Sequence, residues 1–542
     1  MRNKRYVILI LGLTLLLAGL VSGCGAPAPS TPAATPEARA VPEALVSTEE
    51  LDTIREGCQA FSDSGRAKQS EVPPGMVRPL LQDLIYMEGQ IIVTGPQAAV
   101  DNIADTLDLM PESEYSLNLT ENHQELVIKL YQVDNSKVEQ VTCEINELGN
   151  VKAKLGVFAE PNYHISPAPW TVGGSNWTQN GEWAIGVDGG GVGEASGTAF
   201  QTQWAFDATH IGLFDSGGGR LVKDKGEDVR VAIFDTSPFE GVEGWDEREF
   251  SYQGLTIPLT VFHPTLTPAP NCPGDDRYDL DKTLEGQNIR NHGLFVAGLV
   301  HAVAPASEIY LIRVLEDDGC GSLSAVNENV QAFIDKTLQE EGTLEGTVIN
   351  LSLGIHQPPD PTSLGLPSEA TSLQSVLKAA VDQGAIVVAA AGNDSYASPR
   401  PTGMEIPAGY PFVIGVAASD LGRDRGCFSN AGTDTDMGQV AAPGGDGDDG
   451  ERTCNVPKCD ADNPDACLVS VSLDSSTGYV YWVGTSFATP LVSGEAALLL
   501  GAGKSPSQVT SIITEDSCSS SDNSIPRGII NLPHALRGDD CP

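Results

Sequence analysis

Basic residues are scarce in this chain of 542 residues, which has 31 Lys and Arg against 73 Asp and Glu. The formal net charge is therefore −42 at pH 7. Proteins bind nucleic acid mainly through basic side chains that neutralise phosphates, so this composition argues against nucleic acid as the main partner. An acidic, well-solvated surface fits a secreted protein, and acidic loops are compatible with divalent cations.

Long apolar runs are also lacking after the first 24 residues, and no later segment is long enough to span a bilayer. The chain begins with the basic stretch MRNKR and continues with the apolar stretch YVILILGLTLLLAGLV, which predicts a secretory signal peptide over residues 1–23. The predicted signal peptide ends in Val21-Ser22-Gly23, directly before Cys24, and this ending resembles a bacterial lipobox. We therefore expect Cys24 to carry a lipid anchor, with a plain signal peptide or an uncleaved anchor as the alternatives.

The eleven cysteines also indicate export. If Cys24 carries lipid, two of the remaining ten lie before residue 150 and eight lie from Cys272 onwards. An even number in each region of an exported chain predicts disulfides. The sequence does not determine the connectivity, and the pair that we favour is Cys518 with Cys541.

The N-terminal third divides into three segments. Residues 24–47 are rich in Pro and Ala and predict an extended tether. Residues 48–166 predict two strands, GQIIVTG and ELVIKLYQV, two helices, PQAAVDNIADTLDL and KVEQVTCEINEL, and the extended tail GVFAEPNYHIS. This order favours a small α+β domain of the ferredoxin-like type. Residues 167–202 are Gly-rich without periodicity, and we interpret them as a connector or exposed loop.

Residues 203–542 alternate between short, dense apolar runs and helical candidates. The helical candidates are 293–302, SLSAVNENVQAFIDKTLQEE and SEATSLQSVLKAAVDQ. Strands buried on both faces are typically rich in Val and Ile. The pattern predicts an α/β fold, a doubly wound and mostly parallel sheet with helices on both faces. The predicted strands are 229–235, 308–315, 347–353, 385–392 and 412–418.

Four polar residues stand next to these elements. Asp235 ends one predicted strand, Asn393 follows another, and His292 precedes a helical run. Ser486 lies in GTSFATP, directly before the apolar stretch LVSGEAALLL. Taken singly, each has an ordinary interpretation, as a turn residue, a structural histidine or a helix N-cap. His301, nine residues after His292, receives only the structural interpretation.

Taken together, the segments FDTSP, NHGLFVAG, AAAGN and GTSFATP occur in the order Asp, His, Asn, Ser. INLSLG, IPAGYPFVIGVAASD, CFSNAG, VAAPGG and GIINLPHAL surround them. This set resembles the subtilisin-like serine proteases, the subtilases, from residue 203 to about 537. The resemblance implies an exported serine endopeptidase that acts on proteins or peptides. It assigns Ser486 as nucleophile, His292 as general base and Asp235 as the group that orients the imidazole.

The resemblance also implies an oxyanion hole and a substrate strand. The Asn393 side chain and the backbone N–H of the nucleophile would bind the oxyanion. Ser352, Leu353 and Gly354 would accept the peptide as an added strand, and Gly354 would leave the primary pocket open. Asp394 either favours basic or polar side chains there or is a solvated charge at the rim.

The chain departs from the family pattern near the acid and the base. Ser237 stands where the family usually has Gly, and Leu294-Phe295 stand where it usually has Thr-His. These departures affect substrate preference and rate rather than the reaction class. The chemistry needs no cofactor, and we assign no metal ligand. Structural calcium is possible in the acidic stretches 275–281 and 444–451, which are otherwise solvated loops.

The stretch VFAEPNY at 157–163 resembles the end of a subtilase propeptide. A parallel sheet depends on non-local pairing and folds slowly, which a templating propeptide would help. We therefore expect the 48–166 domain to act as chaperone and inhibitor of the catalytic domain, with self-cleavage between about 163 and 202. A lipid on Cys24 would lie on the propeptide side of that cut, so the enzyme would be membrane-anchored, secreted, or both in succession.

Two other functions compete with a protease. A subtilase fold that has lost activity and binds partners stays open, although all four catalytic positions are filled. An α/β-hydrolase esterase requires G-x-S-x-G with its acid and histidine after the serine. Here the serine comes last and stands in GTSFA, which argues against an esterase.

Overall fold

The predicted signal peptide, nearly all of the predicted tether and Cys24 lie outside the part of the chain that the computed structural model describes. None of the helices in the described part combines the length and apolar character that a bilayer crossing requires. The described residues are 46–70, 86–121, 124–152, 154–166, 194–207, 209–213, 226–264, 289–317, 319–355, 370–393, 395, 403–432, 439–445, 467–525 and 527–542.

The N-terminal segment, residues 46–166, contains the predicted strands and helices and two further elements. The sequence did not predict α1, which buries little apolar surface, or β2, which has the polar sequence MPESEYSLNLTE. The elements are α1 (Thr48–Ser70), β1 (Tyr86–Gly95), α2 (Gln97–Leu107), β2 (Met110–Glu121), β3 (Gln124–Gln132), α3 (Val138–Asn146) and β4 (Phe158–Ser166).

These strands form an antiparallel sheet in the order β4-β1-β3-β2. The end of β4 pairs with two short strands from later in the chain, one on each edge, β9 (Gly321–Ser322) and β11 (Gly354–Ile355). Both pairings are antiparallel. The end of the N-terminal segment is thus hydrogen-bonded between two segments of the second half.

The second half contains an eight-stranded sheet in the order β14-β13-β12-β10-β5-β8-β7-β6. All neighbouring strands are parallel except β6 and β7, an unpredicted hairpin at one edge. The five predicted strands are all present in this sheet, which confirms the mostly parallel arrangement. Its strands are β5 (Arg230–Asp235), β6 (Trp245–Tyr252), β7 (Leu255–Phe262), β8 (Glu308–Arg313), β10 (Thr347–Leu351), β12 (Ile386–Ala390), β13 (Ile414–Ser419) and β14 (Gln439–Pro443).

Helices cover both faces of this sheet, as predicted. Successive side chains of a strand point to opposite faces. In β5, Val231 and Ile233 belong to the apolar cluster that contains α5 and α8, whereas Ala232 and Phe234 belong to the cluster that contains α6 and α7. The remaining elements are α4 (Gly197–Thr202), α5 (His292–Val303), α6 (Leu323–Glu341), α7 (Thr371–Asp382), β15 (Leu468–Val471), β16 (Tyr479–Trp482), α8 (Thr485–Gly501), α9 (Pro506–Glu515) and α10 (Leu532–Arg537).

The end of the predicted connector differs from the exposed loop that its composition suggests. Residues 167–193 lie outside the described part, but α4 is a packed helix. The Ser196 hydroxyl caps it by accepting from the Ala199 backbone N–H at 3.1 Å. Phe200 is buried, with its ring 5.6 Å from that of Tyr479. A single aromatic anchor in a Gly-rich stretch gives no periodic signal, so the sequence did not reveal this helix.

Two disulfides join described cysteines. Cys518 pairs with Cys541, which confirms the pair favoured from the sequence. Cys58 of α1 pairs with Cys143 of α3. Cys320, Cys427 and Cys467 are also disulfide-bonded.

Candidate active site

Asp235 and His292 form a buried hydrogen-bonded pair at the carboxyl end of β5. The Nδ1 atom of His292 lies 2.8 Å and 2.9 Å from the two carboxylate oxygens of Asp235. Asp235 is fully buried and His292 is the first residue of α5. The backbone N–H of Thr236 also donates to Asp235 Oδ1, at 2.7 Å. The carboxylate is therefore held on two sides, and the imidazole presents its Nε2 atom away from the acid.

Thr236 and Gly293 explain why the strand and the helix meet so closely. The Thr236 hydroxyl donates to backbone carbonyls of Ile289 and Arg290 and accepts from the Gly293 N–H at 3.1 Å. A methyl group on Gly293 would lie 2.3 Å from the Thr236 carbonyl oxygen and 2.8 Å from Asp235 Cβ. Only glycine therefore permits α5 to start at this distance from β5.

Aromatic rings surround the imidazole. The ring of His292 lies 5.5 Å from Trp482 and 5.1 Å from Phe487. Phe295, one of the departures from the family pattern, packs against the same two rings at 5.5 Å and 4.6 Å. Leu294 is buried in the adjoining core. Phe295 therefore supports the two rings that contact the histidine.

Ser486 is the second residue of α8, not its cap. The helix begins at Thr485, and the N-cap position is Gly484, whose φ of 148° favours glycine. The Ser486 hydroxyl donates to the carbonyl oxygen of Ser352 at 3.1 Å. No hydrogen bond joins it to His292, although both residues are described. The neighbouring ring of Phe487 contacts His292, so the serine and the histidine lie on the same side of the sheet.

Asn393 follows β12 and faces the start of α8. Its Oδ1 atom accepts from the Thr485 backbone N–H and from the Thr485 hydroxyl, both at 3.0 Å. Its Nδ2 atom would lie 3.5 Å from a methyl group placed on Gly484. Thr485 therefore orients the amide so that its N–H groups point along the start of the helix, where free backbone N–H groups also lie.

Ser352, Leu353 and Gly354 connect β10 to β11. Gly354 is paired with Ser166, and the next residue pairs with Ile165. On the other side, β9 pairs with His164 and Ile165. Residues 164–166 therefore lie as an added antiparallel strand between β9 and β11. Two residues before Gly354 lies Ser352, whose carbonyl oxygen accepts from the Ser486 hydroxyl.

Glu405 lies beside the turn that holds Asn393, and the sequence did not indicate it as a site residue. Its backbone N–H donates to the Ala391 carbonyl at 3.0 Å, and a methyl group on Gly392 would lie 2.9 Å from its Oε2 atom. The next carbonyl, that of Ile406, accepts from Ile355 of β11 at 3.0 Å. The carboxylate thus lies beside Gly392, and the backbone of residues 405–406 links the chain before Asn393 to β11. No motif marks it, because its position depends on pairing between distant segments. Asp394 lies outside the described part.

The two acidic stretches in which structural calcium was expected lie almost entirely outside the described residues. Stretch 275–281 lies outside the described part, and only the first two residues of 444–451 lie within it. Within the described ranges, Cys518, His534 and Cys541 approach one another closely enough to hold an ion. The two cysteines are joined in a disulfide, so their sulfur atoms do not fit a metal site.

Comparisons with known proteins show which family the chain belongs to. The family model Peptidase_S8, described as the subtilase family, matches residues 226–525. A subtilisin from Bacillus pumilus is 31% identical over 265 residues, covering 46% of this chain and 78% of that protein. Thermitase from Thermoactinomyces vulgaris is 30% identical over 310 residues, covering 54% of this chain and 92% of that protein.

Subtilisin E from Bacillus subtilis (strain 168) is 29% identical over 265 residues, covering 46% of this chain and 56% of that protein. Among solved structures, fervidolysin from Fervidobacterium pennivorans, a keratinolytic enzyme related to subtilisin, has a TM-score of 0.49 at 21% identity. That alignment covers 85% of this chain and 62% of the other.

Proposed function

Since the chain belongs to the subtilase family and is a serine-type endopeptidase, we propose that Asp235, His292 and Ser486 are its catalytic triad. The observation that carries this proposal is the buried Asp235–His292 pair at the end of a parallel strand, beside the start of α8. Active groups of α/β sheets gather at this edge.

In this mechanism Ser486 Oγ attacks the scissile carbonyl while His292 Nε2 takes its proton. Asp235 keeps the proton on Nδ1 and stabilises the imidazolium that forms. His292 then gives the proton to the leaving amine, which departs and leaves an acyl-enzyme on Ser486. A water molecule, deprotonated by the same histidine, hydrolyses the acyl group. Neither a cofactor nor a structural calcium ion takes part in these steps.

The Ser486 hydroxyl must leave the Ser352 carbonyl before it reaches the histidine. A peptide bound along β11 arrives opposite that carbonyl, and its backbone N–H competes for the same acceptor. Binding of the substrate would thereby free the hydroxyl to rotate towards His292. The developing oxyanion is stabilised by Asn393 Nδ2 and by the Ser486 backbone N–H, at the positive end of α8.

Substrates bind as an added strand along Ser352, Leu353 and Gly354. They would continue the antiparallel pairing that β4 makes with Gly354 and Ile355 in the intact chain. Gly354 leaves room for the side chain that precedes the scissile bond. The Glu405 carboxylate beside Gly392 favours a cationic side chain at that position. We propose that the enzyme prefers Lys or Arg there.

We further propose that residues 48–166 are a ferredoxin-like prodomain that inhibits the enzyme. The order β1-α2-β2-β3-α3-β4 and the sheet order β4-β1-β3-β2 support this fold. Two side chains of β4 dock on helix starts: Glu160 accepts from the Ser372 N–H at 2.8 Å, and Asn162 accepts from the Ser324 N–H at 2.9 Å. Self-cleavage would fall between about 163 and 202.

We propose that the protein is exported and anchored through lipid on Cys24 until that cut releases the catalytic domain. The support is the sequence of residues 1–24. Cell fractionation tests the order of events. Peptidase activity that stays with full-length enzyme at the membrane would contradict it.

One experiment tests the enzymatic proposal directly. Wild type and Ser486→Ala are expressed as full chains, treated with a fluorophosphonate probe, and analysed by N-terminal sequencing. We expect labelling and a new N-terminus between 163 and 202 in wild type only. Identical behaviour of the two proteins, without labelling, would instead support the alternative of an inactive, partner-binding subtilase fold.

A further inference from the structure

Pro490 removes a hydrogen bond that the nucleophile would otherwise receive. It is the sixth residue of α8, a helix that starts at Thr485. In an α-helix the N–H of residue 490 would donate to the carbonyl of residue 486, but proline has no N–H. The carbonyl of Ser486 therefore lacks its helical donor, and it lies in a buried part of the molecule.

The side chain of Ser352 supplies a replacement. Its Oγ donates to the Ser486 carbonyl oxygen at 2.8 Å, while its own carbonyl accepts from the Ser486 hydroxyl at 3.1 Å. Ser352 thus contacts the nucleophilic residue at both its main-chain oxygen and its side chain. The two residues are 134 positions apart in the chain.

Two further side chains determine the direction of that hydrogen bond. Asn350 Nδ2 donates to Ser352 Oγ at 3.0 Å, and Asn350 Oδ1 accepts from the Ser493 hydroxyl at 2.8 Å. Asn350, Ser352 and Ser493 are fully buried. Because the Ser352 oxygen already accepts from the amide, its proton is directed to Ser486. This chain of hydrogen bonds runs from Ser493 of α8 through Asn350 and Ser352, at the end of β10, back to Ser486 of α8.

We infer that the Ser352 hydroxyl is a positioning group for the nucleophile, which replaces the helix N–H that Pro490 cannot provide. The Ser352 hydroxyl holds the Ser486 peptide group in one orientation. In this orientation Ser486 Oγ can reach the scissile carbonyl, and the Ser486 backbone N–H can reach the oxyanion. This inference rests on the proposed role of Ser486, and it concerns the Ser352 side chain, separately from the backbone that binds substrate.

A double-mutant cycle tests it. Wild type, Ser352→Ala, Pro490→Ala and the double variant are produced as full chains, and active enzyme is counted by fluorophosphonate titration. Ser352→Ala should lower kcat about tenfold with KM nearly unchanged, because a buried carbonyl loses its donor while the backbone of the substrate strand stays. In the Pro490→Ala background, residue 490 has an N–H for that carbonyl, so the same substitution should lower kcat less than about twofold.

Ser307→Ala is the matched control. Ser307 is a buried serine whose hydroxyl donates to the Ala304 carbonyl at 2.7 Å, beyond the far end of α5. Its loss should lower the melting temperature and leave kcat unchanged. An equal kcat effect of Ser352→Ala in both backgrounds, or no effect in the wild-type background, overturns the inference.

If Ser352→Ala does not fold, Ser493→Ala takes its place in the cycle. It removes the outer member of the chain, and we expect a smaller fall in kcat that Pro490→Ala also reduces; an equal fall in both backgrounds overturns the inference. If the fluorophosphonate probe labels wild type but the effects of the Ser352 and Pro490 substitutions are independent, only the positioning role is contradicted. Wild type that is never labelled contradicts the proposed triad as well.

Discussion

At the scale of single residues, the role proposed for the Asp235 carboxylate is specific, because it touches only one nitrogen of the imidazole. Asp235→Asn keeps the shape of the side chain but can stabilise the wrong tautomer of His292. We expect kcat to fall by about 10⁴ with KM little changed. Steady-state kinetics on a short peptide measures this, with circular dichroism to confirm folding.

Asp207→Asn is a control of the same chemistry. Asp207 Oδ1 lies 2.8 Å from Nδ1 of the buried His210, in a second Asp–His pair outside the proposed site. Its kcat should stay within about twofold of wild type, since no reacting group touches that pair. Similar losses in the two variants would indicate a general effect on folding and contradict the role of Asp235.

Glu405 supplies a second prediction at this scale. Glu405→Gln removes the carboxylate beside Gly392 and keeps its size. The preference is measured as kcat/KM for peptides with Lys or Arg before the scissile bond, divided by kcat/KM for peptides with Phe there. We expect this ratio to fall about tenfold in Glu405→Gln. Glu345→Gln removes the same charge at an exposed position and should leave the ratio unchanged. A ratio that Glu405→Gln does not alter would contradict the proposed preference.

The sequence predicted Asp235, His292, Asn393 and Ser486 as site residues because each lies in a short local motif. The groups that orient them were not predictable in this way. Thr485 orients an amide 92 residues away, and the Ser352 hydroxyl contacts a residue 134 positions away. Such pairs leave no local pattern, since Ser and Thr are common in turns for many reasons.

At the scale of elements, the contact between α5 and β5 controls where the histidine lies. Gly293→Ala would place a methyl group 2.3 Å from the Thr236 carbonyl oxygen. We expect a loss of about 1–3 kcal/mol in the free energy of unfolding, and a lower kcat, because α5 must move away and carry His292 with it. Thermal and chemical unfolding measure the first effect, and peptide hydrolysis measures the second.

Gly403→Ala is the appropriate comparison for that variant. A methyl group on Gly403 would meet nothing within 4 Å, and the residue does not have a positive φ. We expect wild-type stability and kcat from it. Equal behaviour of the two alanine variants would show that the close approach of α5 to β5 is not needed.

Elements were predictable where burial is uniform and not where it is sparse. Every residue of β10 and β12 is buried, and both strands were recognised from their apolar runs. The hairpin β6–β7 alternates exposed and buried residues at a sheet edge, and β2 is polar. These edge strands are held by backbone pairing with strands already in place, which their own composition does not reveal.

At the scale of the whole molecule, β4 joins the N-terminal segment to the rest, and two of its buried side chains titrate differently from free ones. Burial raises the pKa of Glu160 to about 7, although hydrogen bonds from Ser372 and Thr371 oppose the shift. Burial lowers the pKa of His164 to about 4, and an interaction with the Gly321 backbone opposes this shift only in part. When β4 is docked, Glu160 is therefore neutral below about pH 7 and His164 is neutral above about pH 4.

The two shifts act in opposite directions on release of the proposed prodomain. Glu160 keeps its proton when docked up to about pH 7 but loses it when free above about pH 4.5, so raising the pH through this window favours release. His164 stays neutral when docked down to about pH 4 but is protonated when free below about pH 6.5, so lowering the pH favours release. In wild type the effects nearly cancel between these limits.

Single substitutions should uncover each effect. Processed enzyme that retains its prodomain is diluted at pH 4.5 and at pH 8, and recovered peptidase activity is compared with that of prodomain-free enzyme at the same pH. Wild type should release similarly at both values. With His164→Gln, only the Glu160 effect remains, and the complex should be about a hundredfold weaker at pH 8 than at pH 4.5. With Glu160→Gln the order should reverse, and the complex should be weaker at pH 4.5. Two variants that shift in the same direction would show that β4 is not buried in the processed complex.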